Sequence, residues 1–163
     1  MNKPSYFLLL ILIFFSYTPF NAYPDSRYRE IIETTDLAQL GKNSVETKRP
    51  ILLLISQEDC PFCVRLKREI LNPMVLSGDY DSRIIMRELI IDSMVEPRGF
   101  DGYELDASII ASEYGINVTP TMLFLGPDGR ELTKRIIGIN TVELFSFYID
   151  QAIDKAVKKL NGE

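Results

Sequence analysis

The chain has no histidine and no tryptophan, and only two cysteines among its 163 residues. Without imidazole there can be no Ser-His-Asp or Cys-His nucleophile and no haem-type axial ligand, and most zinc sites lose a partner. Two thiolates amount to half a zinc shell, so no metal site and no other cofactor is expected. A basic face is missing too. The formal net charge of -5 argues against nucleic acid or anionic lipid as a partner. Internal repeats and low-complexity segments are also absent. What remains is 46% apolar and 25% charged, the make-up of one ordinary globular domain that buries a core unaided.

The N-terminus stands apart. In MNKPSYFLLLILIFFSYTPFNA, Lys3 precedes an unbroken apolar run from Tyr6 to Phe15, followed by polar residues, Pro19 and the small Ala22. This order reads as a secretory signal over residues 1–22, cleaved after Ala22. The run falls short of the roughly 20 apolar residues that span a bilayer, although continuing it through Tyr17 and Phe20 gives the alternative of a retained anchor. Either way, residues 23–163 are expected to form a domain in the periplasm or otherwise exported, or held at the membrane, where disulfides persist.

Asp36 is placed to cap a short helix over Leu37 to Thr47, which Pro50 stops. Ile51 to Ile55 is a short continuous apolar run that suits a strand buried on both faces. After the cysteines, Val64, Leu66, Ile70 and Leu71 alternate with charged residues at helical spacing, and Asn72-Pro73 is expected to end that helix. Arg83 to Ile91 reads as a second strand, Asp92 to Glu104 as a loop-like insert, and Leu105 to Tyr114 as a helix closed by Gly115. Thr121 to Leu125 and Glu131 to Ile137 flank a Gly-Pro-Asp-Gly turn as a hairpin, and an amphipathic helix runs from about Thr141 to Leu160. This alternation predicts an α/β fold with one mixed sheet and helices on both faces.

Both cysteines lie in ILLLISQEDCPFCVRLKREIL, where a buried strand gives way to a helix. Pro61 at the first helical position leaves the Cys60 sulfur beside unpaired helix N–H groups, which stabilise a thiolate. The helix dipole adds about 0.3 to 2 kcal/mol, enough to draw an ordinary thiol pKa of about 8.5 toward neutrality, while Glu58 and Asp59 oppose the shift. Cys63, one turn on, is positioned to attack a mixed disulfide at Cys60. Three plainer readings compete: a structural disulfide, a metal site and two unrelated thiols. In the chain-entropy treatment a loop this short gains about 1.8 kcal/mol, against about 3 for fifteen residues, which disfavours the first.

Taken with two further segments, the cysteines resemble the thioredoxin-like superfamily from about Asp36 to Leu160. Cys60-Pro61-Phe62-Cys63 follows the buried strand, Tyr114 to Thr121 is similar to the segment around the family's cis-proline, and Gly138 follows the second hairpin strand. The resemblance implies a three-layer α/β/α fold with a mixed central sheet and a thiol:disulfide oxidoreductase activity. It also implies that Pro120 is cis and faces the dithiol, and that Thr119, with Pro61 and Phe62, meets an extended substrate. Two places depart from the pattern: Asp59 stands where cytosolic thioredoxins have tryptophan, and Leu54 where they bury an aspartate. Glu88 on the second strand is a candidate replacement for that carboxylate as a proton relay to Cys63; the competing reading puts it on a solvated face or in a pair with Arg83 or Arg87.

Proline and an aromatic residue between the cysteines, with no room for a large helical insertion, resemble small exported reductases. Expected partners are cysteine-containing exported proteins and a thiol electron donor, at the membrane in one version. A dithiol oxidant or isomerase, or a peptide-binding chaperone module without turnover, are the alternatives.

Overall fold

The computed structural model describes residues 29–139 and 142–163, with side chains from Leu144 onward in the last stretch. The expected signal over residues 1–22 lies outside the described residues. Among those described, no helix is long and apolar enough to cross a membrane.

Five strands form one sheet in the order β1-β3-β2-β4-β5: β1 (Ile32–Glu33), β2 (Ile51–Ser56), β3 (Ile85–Ile90), β4 (Thr121–Leu125) and β5 (Ile136–Ile137). β1, β3 and β2 run parallel, whereas β4 opposes β2 and β5 opposes β4. Every residue of β2 is buried, as its unbroken apolar run predicts for a central strand covered on both faces. Alternation along the strands splits the core in two. Leu52, Leu54, Met86, Met122 and Phe124 face the helices that follow the cysteines and the C-terminal helix α5 (Val142–Leu160). Ile51, Leu53, Ile55, Leu123 and Leu125 face α1 (Leu37–Thr47) and α4 (Ala107–Glu113). The three-layer α/β/α arrangement is therefore the one expected.

α1 begins where Asp36 predicts, its carboxylate accepting the N–H of Gln39 at 2.7 Å. α4 is capped by Asp106 and closed by Gly115 at φ 64°. The helix after the cysteines departs from expectation. α2 (Pro61–Leu66) passes through a π turn at Lys67–Leu71 into α3 (Asn72–Ser77), so Asn72-Pro73 does not end it. The N–H of Asn72 bonds to the carbonyl of Lys67, five residues back. This wider turn absorbs one extra residue, so the N–H that proline lacks and the space its ring needs are both accommodated. Gly78, at φ 76°, is the actual stop.

The second hairpin strand is also shorter than the expected Glu131 to Ile137. Glu131 makes one bridge to Leu125, and regular pairing resumes only at Ile136. Between them Arg135 turns inward, donating to the carbonyl of Tyr114 at 2.6 Å and pairing with Glu131, which pulls the chain away from β4.

At Gly41 helix α1 comes close against the hairpin turn: a Cβ added there would lie 2.3 Å from the main-chain oxygen of Pro127. In a helix interior, glycine to alanine ordinarily gains about 0.5–1 kcal/mol. Here the sign should reverse. Gly41→Ala is expected to destabilise the fold by about 1–3 kcal/mol in urea unfolding, the usual range for overpacking, and a gain in stability would disprove the contact.

Candidate active site

β2 ends at Ser56, and the next residues carry the chain over the end of the sheet to Cys60. Cys60 occupies the N-cap of α2 in extended conformation (φ -111°), and Pro61 takes the first helical position, where its missing N–H costs nothing. The Cys60 sulfur accepts the backbone N–H of Cys63 at 3.1 Å. It thus fills the role that a serine or aspartate oxygen fills at other helix starts. A disulfide joins Cys60 to Cys63. Cys60 is 8% exposed and Cys63 1%, so of the two residues Cys60 is the more open to solvent. Phe62 between them is 61% exposed.

The Thr119-Pro120 bond is cis. Thr119 comes up against the dithiol: its hydroxyl lies 3.7 Å from the Cys60 sulfur and donates to Oε1 of Gln57 at 2.8 Å. The carbonyl of Pro120 accepts from Gly138, which ties this segment to the end of β5. On its other side Tyr114 anchors it, the phenol donating to the carbonyl of Gly129 at 2.7 Å. Burial there, reinforced by the charges of Glu131, Glu113 and Asp128, pushes the Tyr114 phenol up to about 12. Phe62 and Val118, both exposed, flank Cys60 and Thr119 in sequence.

Glu88 is on neither a solvated face nor an arginine. It is 4% exposed, accepts from the Ser56 hydroxyl at 2.6 Å, and pairs with the Lys67 ammonium at 2.8 Å. Arg83 instead binds Asp150 and Asp154 of α5, and Arg87 donates to the carbonyl of Met86. In the sheet, Glu88 is the direct partner of Leu54. The carboxylate absent at position 54 is thus found one strand over, on the same face. Lys67 stands one turn beyond Cys63, its N–H bonded to the Cys63 carbonyl, so the pair connects the dithiol helix to β3. Sequence reasoning missed Ser56, Lys67 and Gln57. Only Lys67 carried a signal, its spacing of four from Cys63 on a helix.

The sequence matches the thioredoxin-like domain over residues 38–153. The chain belongs to the thioredoxin-like family. No curated protein matches it. Among solved structures, DsbH oxidoreductase is similar with a TM-score of 0.58 and 15% identity, over 84% of this chain and 93% of that one. The thioredoxin of Fasciola hepatica has a TM-score of 0.52 and 17% identity, over 77% of this chain and 99% of its own. A thioredoxin variant from Halobacterium salinarum has a TM-score of 0.52 and 15% identity, over 76% and 91% respectively. At such identities these likenesses speak to the fold alone. A thioredoxin-like domain with a disulfide between the N-cap and third residue of its helix has a thiol:disulfide redox role.

Unequal access makes the two thiols distinguishable. In the reduced protein, Cys60 should be alkylated by iodoacetamide with a half-maximal rate below pH 8.5, roughly the value for a free thiol, while Cys63 stays nearly inert. Mass mapping of the labelled cysteine checks this, and equal labelling of both would reverse the assignment.

Proposed function

We propose that this domain is an exported protein-disulfide reductase that works through Cys60 and Cys63. The observation behind the reading is the Cys60 sulfur at the helix N-cap, accepting an N–H bond and joined in a disulfide to the buried Cys63. The Cys60 thiolate attacks one sulfur of a partner disulfide, forming a mixed disulfide and expelling the other sulfur as a thiolate. Cys63 then gives up its proton and attacks the Cys60 sulfur, expelling the partner's second thiolate. Two electrons have passed to the partner, and the domain is left with the Cys60–Cys63 disulfide for a thiol donor to reduce. Pro61, Phe62, Thr119 and Pro120 form the rim against which an extended partner segment lies. Export rests on the sequence of residues 1–22, which places the partners among cysteine-containing exported proteins.

The direction of electron flow has a direct measure. A reductase should equilibrate near the thioredoxin value of about -270 mV, and a potential near the -120 mV or so of a dedicated oxidant would overturn the direction while leaving the dithiol chemistry intact. In cells, Cys63→Ser should accumulate mixed disulfides with exported proteins through Cys60, because no resolving thiol remains. A trap that collects only cytosolic proteins would sink the assignment to the exported compartment.

Glu88 is the proposed acceptor for the Cys63 proton, with Lys67 and Ser56 as positioning residues that hold its carboxylate. Glu88→Gln keeps the size and a hydrogen bond to Ser56 but removes the base. It should slow resolution of a preformed Cys60 mixed disulfide by about a hundredfold at pH 7, leave alkylation of Cys60 unchanged, and recover as pH rises and Cys63 ionises unaided. Equal losses in both steps at every pH would make Glu88 a structural residue.

A further inference from the structure

At the end of the sheet remote from the dithiol, β1 pairs with β3 only through Ile32 with Arg87 and Glu33 with Glu88. Before Ile32 the chain diverges, and the N–H of Ile31 turns to the side chain of Asn72 at 3.0 Å. The gap between this segment and the first half of β3 is a cavity of about 680 Å³. Its apolar lining includes Val75, Ile84 and Met86, and three arginines also line it, Arg29, Arg49 and Arg87.

The three are not equivalent. Arg29 is neutralised by Asp81, one nitrogen spanning both carboxylate oxygens at 2.9 Å. Among the described residues, Arg49 reaches only the main-chain oxygen of that same Asp81, and Arg87 only the carbonyl of Met86 at 2.7 Å. Neither forms an ion pair among the described residues. Glu30, the other acid on the lining, is exposed and pairs with neither of them. Arg87 is half-buried, and both its desolvation and the nearby Arg49 charge lower its affinity for a proton. Among the described residues, two like charges thus share a partly dry cleft, with carbonyls as their only acceptors. A guanidinium presents five donors in a planar fork that fits an oxyanion, so most of the donors on both groups are unused.

We propose that this cavity binds a small organic oxyanion, a carboxylate or phosphate monoester with a short apolar body. The anion bridges Arg49 and Arg87, which relieves their repulsion and satisfies the spare donors, and the apolar body lies against Val75 and the exposed Ile32. The site is independent of the dithiol, on which nothing here rests.

Titration calorimetry on the full chain at fixed ionic strength tests it, with octyl phosphate below its micelle concentration as the probe and octanol and inorganic phosphate as controls. Octyl phosphate should bind saturably at one site and more tightly than either control, and Arg87→Gln and Arg49→Gln should each weaken it at least tenfold. Ligand-free Arg87→Gln should melt no lower than the parent, since it removes a repelled charge; this separates loss of the site from loss of the fold. No saturable binding, octanol or inorganic phosphate binding as tightly, or an unchanged affinity in Arg87→Gln would each overturn the proposal.

Discussion

The burial of β2 is the constraint on which everything else depends. Ile51–Ser56 is covered on both faces and paired along both edges, with β3 on one side and β4 on the other. Because such a strand cannot slip without turning its side chains into the wrong layer, its register is fixed, and with it the point at which the chain leaves the sheet. That exit delivers Cys60 to the start of a helix. The same register places Glu88 beside Leu54 and Met122 on the other flank of Leu54, so this layer of the core follows from the pairing of one strand.

Beside Leu54 a carboxylate has kept its layer while changing its strand. Moving an acid from one parallel strand to its registered neighbour shifts it by only about 4.8 Å, the interstrand spacing, and leaves it facing the same way. A buried charge at the new position needs its own partners, since an unpaired one would cost several kcal/mol. Ser56 and Lys67 supply them from the strand and helix on either side. The consequence for chemistry is that the acid is held by a cation carried on the dithiol helix itself, so any shift of that helix also changes the field at the acid.

Much of this architecture was legible in the sequence because the signals were local. Asp36 capping α1, the apolar run of β2, Pro61 opening α2 and Gly115 closing α4 each act within a turn or two of the residues they control. The misses have a different physical origin. The π turn at Lys67–Leu71 arises because the helix packs onto the core on both sides of Pro73, through Leu66, Ile70, Leu71 and Met74, so tertiary packing carried the helix past a residue that would end it in isolation. The Ser56–Glu88–Lys67 group depends on strand register and on a helix lying over a sheet, neither of which is written in any short stretch. β5 shrank because Arg135 found the carbonyl of Tyr114, twenty-one residues away.

The π turn changes the phase of the dithiol helix. Each residue of an α-helix advances the side-chain direction by about 100°, so one extra residue taken up in a wide turn sets α3 about that far out of step with α2. A single apolar stripe drawn at a constant 3.6-residue period cannot describe both halves. The half bearing the cysteines is therefore free to aim Cys63 inward and Phe62 outward as the chemistry of the dithiol requires, while Met74 in the later half finds the core on its own phase.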